Sequence, residues 1–305
     1  MNYEKKQKEK AIQNRDKLFQ DPGGGVFKKK RWPFILSKPV LNLWSGIRED
    51  ALDYCKSNHI PWWDSGNEPT GHLLSSQIAC INHLYFIRQR QDLATLILRN
   101  IDISIQQAIS IDTGFVEFEK VGKERLGKEK QLTRGANCTS IDAMMLGENT
   151  NGKRMLFLIE WKYTESYPPD SKLKGESGQR RLEAYDSLLK DPECPIIHKN
   201  IKDLYYEPFY QLMRQTLLGS EMVKRKEYGA EDFIHLHIIP QENKNLKERI
   251  TSPGLSGPDI EQAWKNTLRN PGKYVVLDPK EFLKPVFVCP DTKSISTYLG
   301  QRYWE

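Results

Sequence analysis

Apolar positions along this 305-residue chain recur with two different periods, and the change between them marks its layout. Residues 1–20 are polar with weak helical promise, and Asp21-Pro-Gly-Gly-Gly25 ends them. Pro39 to Asn58 predicts a helix, with Leu43, Trp44, Ile47 and Leu52 at mixed helical spacing. Leu73 to Arg90 and Asp92 to Ile109 read as two amphipathic helices, the first with Ile78, Ile81, Leu84, Tyr85 and Ile87 on its apolar face. From Gly114 the period shortens. Gly114 to Lys120 alternates as a strand, which sets Glu117 and Glu119 on one face. Thr139 to Leu146 and Met155 to Thr164 flank a Glu-Asn-Thr-Asn-Gly turn signal, as a hairpin would. Helical spacing returns at Arg180–Lys190 and in Leu204–Lys224, where Phe209, Leu212, Met213 and Leu217 share a face. Asp232 to Ile239 is a strand closed by Pro240, followed by a helix near Ile260–Leu268 and a strand at Tyr274–Leu277.

Helix, three strands, helix and strand, inside further helices, predict an α/β protein whose mixed central sheet is flanked by helices. No repeat or second linker interrupts the chain. We therefore expect one domain over 32–305, with its core at about 72–240 and extra N- and C-terminal helices.

Charge alters the picture at one end. Net charge is +6, yet residues 1–31 hold ten Lys/Arg against four Asp/Glu, and the rest is balanced at 36 of each. Residues 1–31 thus form a basic arm that suits a polyanion such as nucleic acid, or else a solvated tail. Lys28-Lys-Lys-Arg-Trp-Pro33 reads as a basic linker into the folded part. Five dispersed cysteines without a CxxC pair argue against a disulfide framework and a structural zinc site. No apolar run reaches the roughly 20 residues of a membrane helix, and the N-terminus lacks a signal peptide's apolar stretch. The expected location is cytoplasmic.

Candidate chemistry lies in the hairpin. Asp142 is a lone acid among apolar neighbours, and the second run ends Leu158-Ile-Glu160-Trp-Lys162. Alternation points Glu160 and Lys162 the same way, where Asp142 would meet them. Two other Glu-x-Lys triplets, at Glu4 and Glu242, lie in the polar arm and beyond Pro240, so only this one ends an apolar strand. Buried carboxylates cost several kcal/mol without a partner. These three side chains therefore require one another as a buried ion pair, or a divalent cation. Gln77, Asn82 and His83 are within reach of a site but more simply structural. His235 and His237 share a strand face without a third ligand.

Asp142, seventeen residues, then Glu160-x-Lys162, set in this element order, resembles the PD-(D/E)xK nuclease superfamily. GANCTSIDA and LIEWKYTESY, with the SSQ helix near Ser75–Gln77 and the Arg181…Tyr185 segment, resemble a group of bacterial restriction endonucleases within it over roughly residues 70–280. The proline that usually precedes the aspartate is replaced by Ile141. The resemblance implies a restriction-endonuclease-like αβββαβ core and metal-dependent hydrolysis of DNA, in a restriction or defence setting. Asp142 and Glu160 would bind Mg²⁺ (Mn²⁺ as a substitute), with the Trp161 carbonyl as a further ligand. Lys162 would orient the attacking water or stabilise charge on the phosphate. Gln211, with Gln215 one turn on, matches a glutamine motif of RecB-like members, though a surface pair is an equal reading. Glu117 or Glu119 would be a third carboxylate, or simply an exposed strand residue. Alternatives are a repair, recombination or RNA nuclease, and a catalytically silent nucleic-acid-binding module. A restriction role would require a cognate methyltransferase as partner, and a homodimer is compatible with it.

Overall fold

The computed structural model describes residues 2–64, 66–129 and 138–304. The end of the charged Lys123–Arg134 stretch, which the sequence reads as a turn region, and Gly135, Ala136 and Asn137 of GANCTSIDA lie outside them. Helix α1 (Tyr3–Phe19) and a small hairpin, β1 (Gly25–Phe27) and β2 (Lys30–Trp32), come first. Helices α2 (Arg48–Ser57), α3 (Ser76–Leu84) and α4 (Gln91–Ile101) follow. Strands β3 (Ile105–Ile109), β4 (Glu117–Lys120), β5 (Ile141–Asn149) and β6 (Arg154–Trp161) lead to helices α5 (Gly175–Leu189) and α6 (Phe209–Lys224). The chain continues through β7 (Ala230–Ile238), α7 (Lys244–Lys247), α8 (Ile260–Lys265), β8 (Tyr274–Leu277), α9 (Pro279–Leu283) and α10 (Lys293–Leu299).

One sheet runs β3-β5-β6-β7-β8, with β4 continuing beside β5 past the end of β3. β3, β4 and β6 are antiparallel to β5, whereas β6, β7 and β8 are parallel. The mixed α/β sheet expected from the pattern is therefore present, and helices cover it on both sides. Ala143, Met145, Phe157, Ile159, Leu236 and Ile238 face α3 and α4. Met144, Leu146, Leu156 and Leu158 face the layer containing α6. This is a restriction-endonuclease-like fold.

The hairpin turn is set by Asn149, whose Oδ1 accepts from the Asn151 and Lys153 amides at 3.0 Å each. Gly152 there has φ +75°, which glycine adopts without strain. Two helix expectations need correction. The Asp92–Ile109 run stops at Ile101, where Asp102 caps a turn by accepting from Ser104 N at 2.9 Å, and Ile105–Ile109 becomes edge strand β3. Short apolar spacing does not separate helix from strand, and pairing with β5 decided it. Pro39–Asn58 divides into a 3₁₀ turn at Pro39–Asn42 and α2, parted by the Trp44-Ser-Gly46 bend.

The basic arm is helical and docked. Asn2 caps α1, Tyr3 packs edge-on against Tyr163, and Gln7 accepts from the Tyr163 hydroxyl at 3.0 Å. After α1, buried Asp21 accepts from the amides of Gly23, Ser37 and Lys38 and from the Ser37 hydroxyl, fixing the next loop. The arm's far end meets the C-terminus, where the Arg302 guanidinium lies over Phe19 and donates to Asn42 O at 2.6 Å.

Candidate active site

The strand ladder sets four polar residues in one row. Phe118 pairs with Ala143 and Lys120 with Ile141, so Glu119 lies opposite Asp142. Ala143 pairs with Ile159, so one step further Asp142 lies opposite Glu160. Glu160 in turn pairs with His237 on β7. The row sits where β5 begins and β6 ends. Here the Asp142 carboxylate replaces the ladder, accepting from the Trp161 amide at 2.8 Å.

Glu160 and Lys162 are buried, 1% and 5% exposed, and form an ion pair. Among the described residues, Glu160 Oε1 has no hydrogen bond of good geometry beyond that pair, while its other oxygen accepts from Gln215 Nε2. Gln211 Oε1 accepts from Lys162 Nζ at 2.8 Å. The two glutamines, one turn apart on α6, therefore face the strand end and not the solvent. Gln215 also donates to Ser140 O at 3.2 Å and meets His235 Nε2 at 3.1 Å.

Burial, reinforced by the Glu160 charge, pushes the Asp142 carboxyl well above the usual carboxylate range. For Lys162 burial alone would lower the pKa, but Glu160 outweighs it and holds the ammonium charged. Burial holds His235 down at about 3 and also pushes His237 well below its ordinary value. Both rings are neutral. His235 is engaged with Thr216 and Gln215, and His237 with the Tyr274 hydroxyl, as core histidines would be.

The two further acids separate. Glu117 is 1% exposed and bound to Arg88 at 2.9 Å and to the Tyr54 hydroxyl at 2.7 Å, in a structural network. Glu119 has φ +50°, which interrupts the alternation that would place it with Glu117. Its carboxylate accepts from Gln77 Nε2 and Ser140 Oγ, both at 3.1 Å, and its charge raises the Asp142 pKa. The expectation of exposed strand residues fails for both. Asn82 braces the Trp44 amide and His83 the Ala79 carbonyl, so of the α3 trio only Gln77 reaches the row.

Composition and spacing did not single out Ser76 and Ser140. Ser76 Oγ donates to the Trp161 carbonyl at 2.7 Å. The Ser-Ser-Gln run at the start of α3 was the available signal, because Ser75 caps the helix and leaves Ser76 pointing at β6. Among the described residues no three His, Cys, Asp or Glu side chains converge as a metal cage. The oxygen donors that the resemblance implies are the Asp142 and Glu160 carboxylates and the Trp161 carbonyl. That set fits a hard cation such as Mg²⁺, which keeps several of its waters.

A mixed sheet between helices, with an acid pair and a lysine at the end of its central hairpin, defines a restriction-endonuclease-like protein. The chain belongs to the family described as Restriction Endonuclease associating with ARP, whose model matches residues 8–304. Membership places it among nucleases, and the match extends past both ends of the 70–280 resemblance, into α1 and the C-terminus. Comparison with curated proteins and with solved structures found no match. No described helix is long and apolar enough to cross a membrane.

Proposed function

We propose that the protein is a metal-dependent endonuclease of the PD-(D/E)xK type that hydrolyses DNA phosphodiester bonds, in a restriction or defence role. The observation that supports this best is the acid row ending in Glu160, with Lys162 beside it and both held by glutamines of α6. Asp142, Glu160 and the Trp161 carbonyl would hold Mg²⁺, or Mn²⁺ in its place. Such an ion, when bound, supplies positive charge at the phosphate and acidifies a water.

The chain's own residues do the rest. Gln211 fixes the Lys162 ammonium, which aligns the attacking water and neutralises charge developing on the phosphate. Gln215 fixes the Glu160 carboxylate against rotation, and Ser76 aims the Trp161 carbonyl. Glu119 lies next in the row as a third carboxylate. A restriction role also calls for a methyltransferase that protects the host's own sites.

Plasmid incubated with Mg²⁺ and either wild type or Lys162→Ala provides the test. Cleavage is expected from the wild type and a loss of at least about 100-fold in the variant, the scale of one electrostatic donor. Equal nicking by both would sink the assignment. A second reading, a silent nucleic-acid-binding module, is favoured by the closed Glu160–Lys162 ion pair. It predicts no heat of Mg²⁺ or Mn²⁺ binding and no cleavage by either protein.

A further inference from the structure

On the other side of Gln211, α5 and α6 flank an open cleft of about 650 Å³. Five cations line it: Lys128, Lys172, Arg180, Arg181 and Arg214. Two acids join them, Glu129 and Glu207. Glu129 is already engaged by the Thr139 amide and hydroxyl and by the Tyr185 hydroxyl. Glu207 lies 3.5 Å from Lys172.

Arg214 is the informative residue. Its guanidinium stacks over Tyr210 at 4.9 Å, its Nε is buried without a hydrogen bond, and it has no ion pair among the described residues. A guanidinium is always charged, and the Glu207 and Glu129 carboxylates act on this one only from beyond ion-pair distance, each being engaged elsewhere. Its planar fork matches phosphate oxygens two at a time.

We propose that this cleft binds a phosphate group of the nucleic-acid strand, distinct from the phosphate at Asp142, Glu160 and Lys162. The nucleic-acid source rests on the nuclease reading above; the anion site itself does not. Gln211 faces Lys162 while Tyr210 and Arg214, about a third of a turn away on the same helix, line the cleft. One strand can therefore occupy both. The source of the phosphate is either an internal phosphodiester or a 5′-terminal phosphate.

Calorimetry in EDTA separates these cases without requiring cleavage. Wild type, Arg214→Met and the rim variant Arg180→Gln are titrated with inorganic phosphate, then with a short single strand carrying a 5′-phosphate or a 5′-hydroxyl. We expect wild type to bind phosphate, Arg214→Met to weaken binding about tenfold or more, and Arg180→Gln to weaken it less. Tighter binding of the 5′-phosphorylated strand identifies a terminal phosphate. Equal binding of both strands, each weakened by Arg214→Met, identifies an internal phosphodiester. No phosphate binding by wild type, or equal binding by all three proteins, overturns the inference. Should Arg214→Met lose its cooperative melt, Arg180→Gln decides. Cleavage-competent wild type without phosphate binding would remove the cleft and leave the nuclease reading. Phosphate binding without metal-dependent cleavage would do the reverse.

Discussion

Gln215 joins three groups that otherwise have few partners: the Glu160 carboxylate, the Ser140 carbonyl and the His235 ring. Truncating it leaves a buried carboxylate oxygen and a buried imidazole nitrogen unsatisfied. We expect Gln215→Ala to cost about 1–3 kcal/mol, read as a lower urea midpoint. Gln211→Ala removes a single bond to a lysine that keeps Glu160, so its stability loss should be smaller and its cleavage loss the larger share. At this scale the sequence showed Asp142, Glu160 and Lys162, because charged residues ending an apolar strand demand partners. It did not decide between Glu117 and Glu119. Regular alternation puts them together, and the positive φ at Glu119 that parts them is a tertiary outcome.

Among elements, α6 carries both the candidate site and the cleft, so its depth on the sheet matters. A Cβ at Gly219 would stand 2.5 Å from Leu158 Cδ1 and 2.8 Å from Phe233 Cδ2. Gly219→Val should therefore lift the helix and destabilise by about 1–3 kcal/mol, despite removing a helical glycine. A denaturation curve with midpoint unchanged would show that the core yields there. The strands and α6 were legible because one face of each is continuously apolar. Strand β3 was not, since its five residues Ile105–Ile109 fit either period and only the partner β5 distinguishes them.

Across the whole molecule, α1 closes the N-terminal part onto residues 300–304, with Asn14 donating to Gln301 O at 3.3 Å and Arg302 lying over Phe19. Asp21 anchors this closure. Burial alone would raise its carboxyl pKa, but the Ser37, Gly23 and Lys38 amides and the Ser37 hydroxyl outweigh that and lower it. A lowered folded pKa gives stability that is present above the unfolded value of about 3.9 and is lost as pH falls through the folded one. Asp21→Asn should thus be less stable than wild type at neutral pH, and the gap in urea midpoints should narrow as pH drops below about 4. A gap constant with pH would mean that the charge of Asp21 contributes nothing. Deleting residues 1–20 should lower the melting temperature as well, because it uncovers Tyr163 and the Arg302 contact. The polar composition of these residues suggested a tail, since the few that dock, Tyr3, Gln7 and Phe19, are too sparse to form a periodic face.

The Asn149–Gly152 turn has a consequence beyond joining two strands. It works as a ruler. Asp142 and Glu160 stand at matched distances from it along β5 and β6, so the row exists only while both arms keep their lengths. A residue inserted into one arm turns every side chain beyond it to the opposite face. The acid would then swap places with a core residue. Lengths in this hairpin can change only in pairs, one residue on each side of the turn.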